Sequence, residues 1–207
     1  LAQFFDLLPL MPMRWDIQRN DELSGVGDGV IFQAELASPL WSAEVSLRPV
    51  RLTVASRVGA LVNRLRGAQE PFLFRDPYIC APALDPTGAG LSGATVQVAS
   101  ASGGTLGLSG LPAGYGLSTG DKLQIVTAGG KHAFVEASED VTANGSGVTG
   151  GFDVFPSLPA GVAAGNAVTL VRPACACVIV PKSYRPGTAS GSTVRDIGFT
   201  VIQKRGV

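Results

Sequence analysis

Hydrophobic and polar residues alternate along much of the chain, and this pattern predicts a mainly β protein. Residues 13–19, 30–36 and 41–47 each place apolar side chains at every second position, as strands buried on one face do. Residues 71–76 indicate a further extended segment. The glycines within 25–29 mark a turn between the first two strands.

One segment has helical periodicity instead. Residues 55–66 place four apolar side chains at i, i+3, i+4 and i+7, which is the spacing of one helix face. These four are Val58, Leu61, Val62 and Leu65. Ser56 is a candidate capping residue, and Gly67 stands where a glycine commonly follows a helix. We therefore expect one helix at about 55–66.

The middle of the chain predicts a compact all-β unit. Short candidate strands alternate with glycine, proline and asparagine turns, the pattern of a small barrel or sandwich. The candidate strands are residues 95–100, 105–108, 121–127, 132–137, 151–154 and 167–171. After them we expect an apolar strand at 175–180, a mobile loop at 181–195 and a closing strand at 197–204.

Charge and glycine divide the chain into three parts. The chain is neutral overall, with 16 basic and 16 acidic side chains. Residues 81–171 hold 18 of the 27 glycines and carry net charge −4, from 2 basic and 6 acidic residues. Residues 172–207 carry +5, from 6 basic and 1 acidic residue, and residues 1–80 carry −1, from 8 and 9. Prolines lie at both edges of the middle part, as expected at a domain boundary.

These divisions predict a mainly β fold with an insertion. Residues 1–80 and 172–207 together form a discontinuous β-sandwich with one α-helix, and residues 81–171 form a small inserted all-β domain, an OB-like barrel or sandwich. The two ends of an insertion must be adjacent, so the chain near Cys80 and near Arg172 should lie close together. With 15% charged and 45% hydrophobic residues, general disorder is excluded. Zero net charge argues against nucleic-acid binding by bulk charge.

Candidate catalytic and cofactor residues are few. Residues 88–93 match G-x-G-x-x-G, but the next predicted element is a strand, whereas a dinucleotide site needs a helix there. His132 is the only histidine, and no nucleophile or carboxylate is placed beside it by the sequence. We therefore expect no catalytic, cofactor or metal site, and a protein that is not an enzyme.

The three cysteines leave alternatives open. Cys175 and Cys177 fall on one face of a predicted strand, and Cys80 is expected nearby. One interpretation is a disulfide between Cys80 and one of them, or zinc held by all three with His132, although the spacing differs from paired C-x-x-C sites. The favoured interpretation is small buried apolar residues in a reduced cytosolic protein, because an odd number is unusual in a secreted disulfide scaffold. The first nine residues also lack the basic leader of a signal peptide.

Two basic segments are candidate contact surfaces. The 181–195 loop contains no acidic residue, and long loops in compact domains are often functional. The predicted subunit-contact residues in it are Lys182, Tyr184, Arg185 and Arg195. Arg57 and Arg64 lie seven residues apart on one helix face, and we predict that they contact a partner. The alternative for the 181–195 segment is a mobile hairpin loop, and the alternative for the helix face is an ordinary solvated surface.

Two turn-rich motifs resemble a known family. Residues 108–121, which include Gly-Leu-Pro-Ala-Gly and end in Gly-Asp, are similar to the G-L-P-A-G…L…G-D signature of tail-tip proteins of long-tailed bacteriophages and related gene transfer agents. Residues 158–162 repeat Leu-Pro-Ala-Gly-Val and are followed by 167–175 in the same pattern. Residues 15–19 and 72–77 fit this similarity as well. Within that class the architecture most resembles the distal tail protein.

The resemblance implies a structural virion protein of the tail tip, assembled in the host cytoplasm. Members of this family form a homo-hexameric ring at the distal end of the tail tube, with an inserted module that projects outward. The implied partners are further copies of this chain, the tail tube protein and the baseplate hub protein. DNA is expected to pass through the ring without sequence recognition, and no membrane insertion is expected.

Two alternative functions stay open. One is a tail-tube or tube-capping subunit, which shares the ring architecture. The other is a host-carbohydrate-binding module whose sugar contacts come from aromatic residues of the insertion. Those aromatic residues are Tyr115, Phe134, Phe152 and Phe155.

Overall fold

A computed structural model describes residues 8–25, 27 and 29–207, and these residues form a mainly β fold with one α-helix, as the sequence predicts. In chain order the elements are β1 (Trp15–Gly25), β2 (Ile31–Ser46), β3 (Val50–Arg51), α1 (Leu52–Arg64), β4 (Phe72–Phe74), β5 (Gln97–Ser102), β6 (Thr105–Ser109), β7 (Gly116–Leu117), β8 (Lys122–Val126), β9 (His132–Ala137), β10 (Val141–Thr142), β11 (Phe152–Phe155), β12 (Ala167–Thr169), β13 (Cys175–Ile179), β14 (Thr188–Ser190), β15 (Thr193–Arg195) and β16 (Gly198–Gln203). A 3-10 turn spans Ala89–Leu91.

The first and last parts of the chain share one hydrophobic core. An antiparallel sheet of order β1-β2-β16-β13-β4 joins strands from both parts, and a second sheet has the order β14-β15-β3. Alternate residues of β2 from Trp41 to Val45 face inward, and Phe74 and Phe199 lie fully buried beside them. Burial of these side chains on one face of each strand explains the period of two in the sequence.

The helix begins three residues earlier than its apolar spacing predicts. Val58 and Val62 are buried, as expected, so the predicted helix is confirmed. Ser56 as the cap is wrong: its hydroxyl donates to the carbonyl of Leu52 within the first turn, and Arg51 occupies the cap position without a side-chain bond. The last residue of β3 therefore leads directly into the helix. Gly67 adopts a φ of +69°, the left-handed conformation that favours glycine after a helix.

Residues 30–36 and 41–47, predicted as two strands, lie almost entirely in the single 16-residue strand β2. Pro39 lies between them at an irregular point of the ladder, where the pairing with β1 shifts register. Proline is tolerated at such points because no ladder hydrogen bond is required of its nitrogen. Consequently β1 and β2 form one long hairpin.

The middle part closes into a barrel with its own core. The closed order is β11-β6-β5-β12-β8-β9, and β7 pairs with β10 beside it. Its core includes the fully buried Leu106, Leu123 and Ile125. The two ends of this part are adjacent, as expected, because the main-chain N–H of Arg172 donates to the carbonyl of Cys80 at 2.5 Å.

The expectation of a loop over 181–195 is wrong for residues 188–195. Strands β14 and β15 form a short hairpin there, and β15 pairs with β3 immediately before the helix. Val50 and Val194 pair within this sheet and are both buried, so the hairpin covers part of the core. Its strands are short and polar, which explains why the sequence resembles a loop.

Candidate assembly surfaces

The long hairpin extends beyond the core and is exposed on both faces. We define the outer hairpin as residues 20–25 of β1 and 31–37 of β2. It presents four large apolar side chains to solvent: Leu23, Ile31, Phe32 and Leu36, which are 69%, 70%, 60% and 61% exposed. Such a group of exposed apolar side chains on a projecting element is typical of an interaction site.

The strand register distributes these side chains over both faces of the outer hairpin. Leu23 pairs with Gln33, and Gly25 pairs with Ile31, so Leu23 and Ile31 share one face. Phe32 pairs with Ser24 and lies on the opposite face. Both faces of the outer hairpin therefore expose apolar side chains in a single copy of the chain.

Acidic residues flank the apolar ones on the outer hairpin. Asp21 and Glu35 are directly paired across the strands, and Glu22 lies on the other face. Asp21 accepts a hydrogen bond from the amide of Gln33 at 2.8 Å and lies 3.9 Å from the guanidinium of Arg19. The outer hairpin contains three acidic and no basic residues, so its charge is −3.

The opposite end of β2 leads into a basic surface. Arg51 of β3 and Arg195 of β15 point outward, because their neighbours in those strands, Val50 and Val194, point into the core. Leu52 and Val54, in the first turn of α1, are 52% and 39% exposed.

Arg57 and Arg64 complete this surface. Both are exposed on α1, so the structure places the predicted helix face in solvent. We call the set Arg51, Leu52, Val54, Arg57, Arg64 and Arg195 the helical end. None of its arginines forms an ion pair with another residue in the ranges the structure describes.

The structure does not bring the four predicted loop residues into one cluster. Lys182 is exposed with a φ of +65°. Tyr184 is half-buried against the core, and burial raises the pKa of its hydroxyl. Arg185 donates to the carboxylate of Glu44 on β2 at 2.8 Å. Of these four residues, only Arg195 lies in the helical end.

The barrel and the sandwich meet at an aromatic contact. The ring of Phe134, from β9, packs into the sandwich core with Trp15 and Trp41, at centroid distances of 5.5 and 5.6 Å. The ammonium group of Lys122 lies 4.1 Å from the ring centre of Trp41 and also pairs with Glu136. A cavity of about 190 Å³ lies at this junction, lined by both parts of the chain.

The aromatic residues of the insertion do not form an exposed platform. Phe134 and Phe152 are buried, at 3% and 1% exposure. The hydroxyl of Tyr115 donates to the carboxylate of Asp85 at 3.2 Å, and burial followed by the charge of Asp85 raises its pKa. Phe155 lies beneath the guanidinium of Arg19, 5.3 Å away.

The histidine and the two paired-position cysteines that the sequence singles out are partly or fully buried. The Nδ1 atom of His132 accepts a hydrogen bond from the side-chain amide nitrogen of Gln124 at 2.9 Å, and burial lowers the pKa of the imidazole. Cys175 and Cys177 are buried and free, and burial raises the pKa of Cys175. Within the described ranges no group of three or more histidine, cysteine or acidic residues is arranged to hold a metal ion.

The glycine pattern at 88–93 forms a turn. Its 3-10 segment is too short to provide a helix N-terminus for a phosphate, and the main-chain N–H of Gly90 donates to Asp85 at 2.9 Å. The main chain of this turn is thus bound by the carboxylate of Asp85 in the same segment.

Sequence reasoning missed the outer hairpin as an exposed surface. Residues 30–36 were expected to be half-buried, yet every one of them is exposed. A signal was present: Ile31 and Phe32 are adjacent large apolar residues, and neighbours in a strand point to opposite faces. One core cannot bury both.

Comparison with models of known protein families and with curated proteins gives no match. In the part of the chain that the structure describes, no helix has both the length and the apolar character needed to cross a membrane.

Proposed function

We propose that this chain is a structural subunit of a phage-type tail tip. In this proposal it forms a homo-hexameric ring at the distal end of the tail tube, linking the tube to the baseplate hub, and DNA passes through the ring without sequence recognition. The chain has an assembly role and performs no catalytic step. The observation that carries the proposal is the outer hairpin.

The outer hairpin supports a ring because its exposed apolar surface is energetically unfavourable in an isolated chain. Its four large apolar side chains remain in water, and β1 is the edge strand of its sheet among the residues that the structure describes. Exposed edges and apolar projections promote association, and native proteins usually cover them. A closed ring covers the same surface on every copy.

The proposal is tested by reducing the apolar character of the outer hairpin. The double variant Ile31→Ser, Phe32→Ser should shift purified protein from ring to monomer in light scattering, with its circular dichroism spectrum unchanged. Leu84→Ser is the matched control, since Leu84 is also 69% exposed but lies outside the hairpin. An unchanged oligomer in the double variant would exclude the outer hairpin as the ring contact.

Electron microscopy separates the ring from the tail-tube or tube-capping alternative. The tail-tip proposal expects single rings, whereas a tube subunit would stack them into tubes. The carbohydrate-binding alternative has less support, because two of its four aromatic residues, Phe134 and Phe152, are buried.

A further inference from the structure

We infer that the outer hairpin of one copy docks onto the helical end of the next copy. This inference rests on the proposed ring and specifies its repeating contact. The occupant of the helical end is therefore a second copy of this chain, bound head to tail.

The topology places the two surfaces at opposite ends of one strand. The outer hairpin includes the start of β2 at Ile31, and the helical end follows its last residue, Ser46, through β3. A strand of 16 residues spans about 50 Å at roughly 3.3 Å per residue. One chain therefore cannot bring the two surfaces together, whereas two copies can.

Contact between different surfaces of identical chains is heterologous. Each added copy leaves one outer hairpin and one helical end available, so the contact repeats until the chain of copies closes as a ring. A symmetric contact, in which two outer hairpins meet, would stop at a dimer. The head-to-tail arrangement is thus the one that fits a hexamer built from a single contact type.

The charges of the two surfaces are complementary. The outer hairpin has charge −3, whereas the helical end has charge +4 from its four arginines. Opposite potentials favour encounter and fix the register of a contact. Like charges also disfavour contact of two outer hairpins, or of two helical ends.

Both surfaces also expose apolar side chains that could be buried together in the contact. Leu52 and Val54 are exposed in the first turn of α1, and Phe32 is exposed on the hairpin face that carries Glu22. Each surface therefore offers apolar side chains together with charged ones, and protein interfaces commonly combine the two.

A charge-swap experiment on the full chain tests the inference. Arg57→Glu with Arg64→Glu should weaken self-association about tenfold or more, and so should Glu22→Lys with Glu35→Lys. The quadruple variant should recover most of the loss, because the charges are complementary again. Lys131→Glu, an exposed charge reversal in the β8–β9 turn, should leave association unchanged.

Cysteine pairing identifies the contact directly. In a Cys80→Ser background, Phe32→Cys protein mixed with Leu52→Cys protein should form disulfide-linked dimers, and neither protein should do so alone. A single chain carrying both cysteines should give a ladder of linked oligomers. Linking of Phe32→Cys protein with itself would overturn the head-to-tail contact in favour of a symmetric one.

The outcomes separate this inference from the proposed function. A ring that is insensitive to the charge swaps and does not crosslink in the mixture overturns the head-to-tail contact and leaves the ring intact. A wild-type chain that stays monomeric at every concentration overturns both.

Discussion

The indole N–H of Trp41 donates a hydrogen bond to the main-chain carbonyl of Phe134 at 3.0 Å, which joins the sandwich to the barrel. Trp41 is 2% exposed, and its own main-chain N–H donates to the side chain of Gln203 at 3.3 Å. The barrel is therefore held by a buried contact in addition to its two covalent connections. This contact helps to set the orientation of the barrel relative to the sandwich.

Replacing Trp41 with Phe should destabilise the protein by about 2 kcal/mol. The substitution leaves the buried carbonyl of Phe134 without its donor, and that loss alone costs about 1–3 kcal/mol. It also weakens the stacking of Lys122 over the ring. Urea unfolding monitored by far-UV circular dichroism measures the change.

Trp15→Phe is the control for that experiment. Trp15 is half-buried and packs against Phe134 and Phe74, so the shorter ring loses packing area but breaks none of the described hydrogen bonds across the junction. A loss as large as that of Trp41→Phe would show that ring packing, and not the indole hydrogen bond, holds the junction.

Long-range contacts of this kind mark the limit of what the sequence predicts. The period of two locates β1 and β16, and the helical period locates α1, because both reflect which residues face a core. Neither period shows that Phe134 packs in the core of the other domain. That contact depends on how the two domains dock, which a local pattern does not record.

The stability of the junction should depend on pH through His132. Burial lowers its pKa below the ordinary 6.5, so the unfolded chain binds a proton more readily than the folded one. Stability should thus be complete above about pH 6.5 and fall as the pH decreases from there towards the folded-state pKa. Protonation also places a hydrogen on Nδ1, facing the amide of Gln124, whose oxygen accepts from the main-chain N–H of Ala174 at 2.9 Å.

His132→Asn tests this assignment, because it retains an acceptor near the position of Nδ1 and does not titrate. The variant should show a flatter dependence of the urea midpoint on pH between 5 and about 6.5. An equal slope in the variant would assign the pH dependence to other groups.

Two glycines of the Gly-Leu-Pro-Ala-Gly motif should respond differently to substitution. Gly110 has a φ of +79°, and a Cβ there would overlap the carbonyl oxygen of Thr95. Gly114 has a φ of +73° but open space around it. We expect Gly110→Ala to cost about 3 kcal/mol, from strain and overlap together, and Gly114→Ala about 1–2 kcal/mol from strain alone.

Urea unfolding of both variants measures this difference. Equal losses would mean that the backbone at residue 110 moves to relieve the overlap. The expected difference would show that this part of the motif serves the turn between β6 and β7, a structural role that the resemblance to tail-tip proteins does not by itself reveal.

The candidate surfaces were only partly predictable. Arg57 and Arg64 are exposed where the helical spacing places them, so local periodicity was sufficient. The strands of the β14–β15 hairpin were not predicted, because they are short and gain their partner from β3, more than 130 residues earlier. The outer hairpin was missed because alternation predicts a strand without showing whether a core reaches it.

Native mass spectrometry of the purified chain tests the central claim most directly. We predict a dominant species at six times the 21.2 kDa mass of the chain, which the Ile31→Ser, Phe32→Ser variant converts to monomer. A wild-type protein that remains a 21.2 kDa monomer over the whole accessible concentration range would contradict the ring.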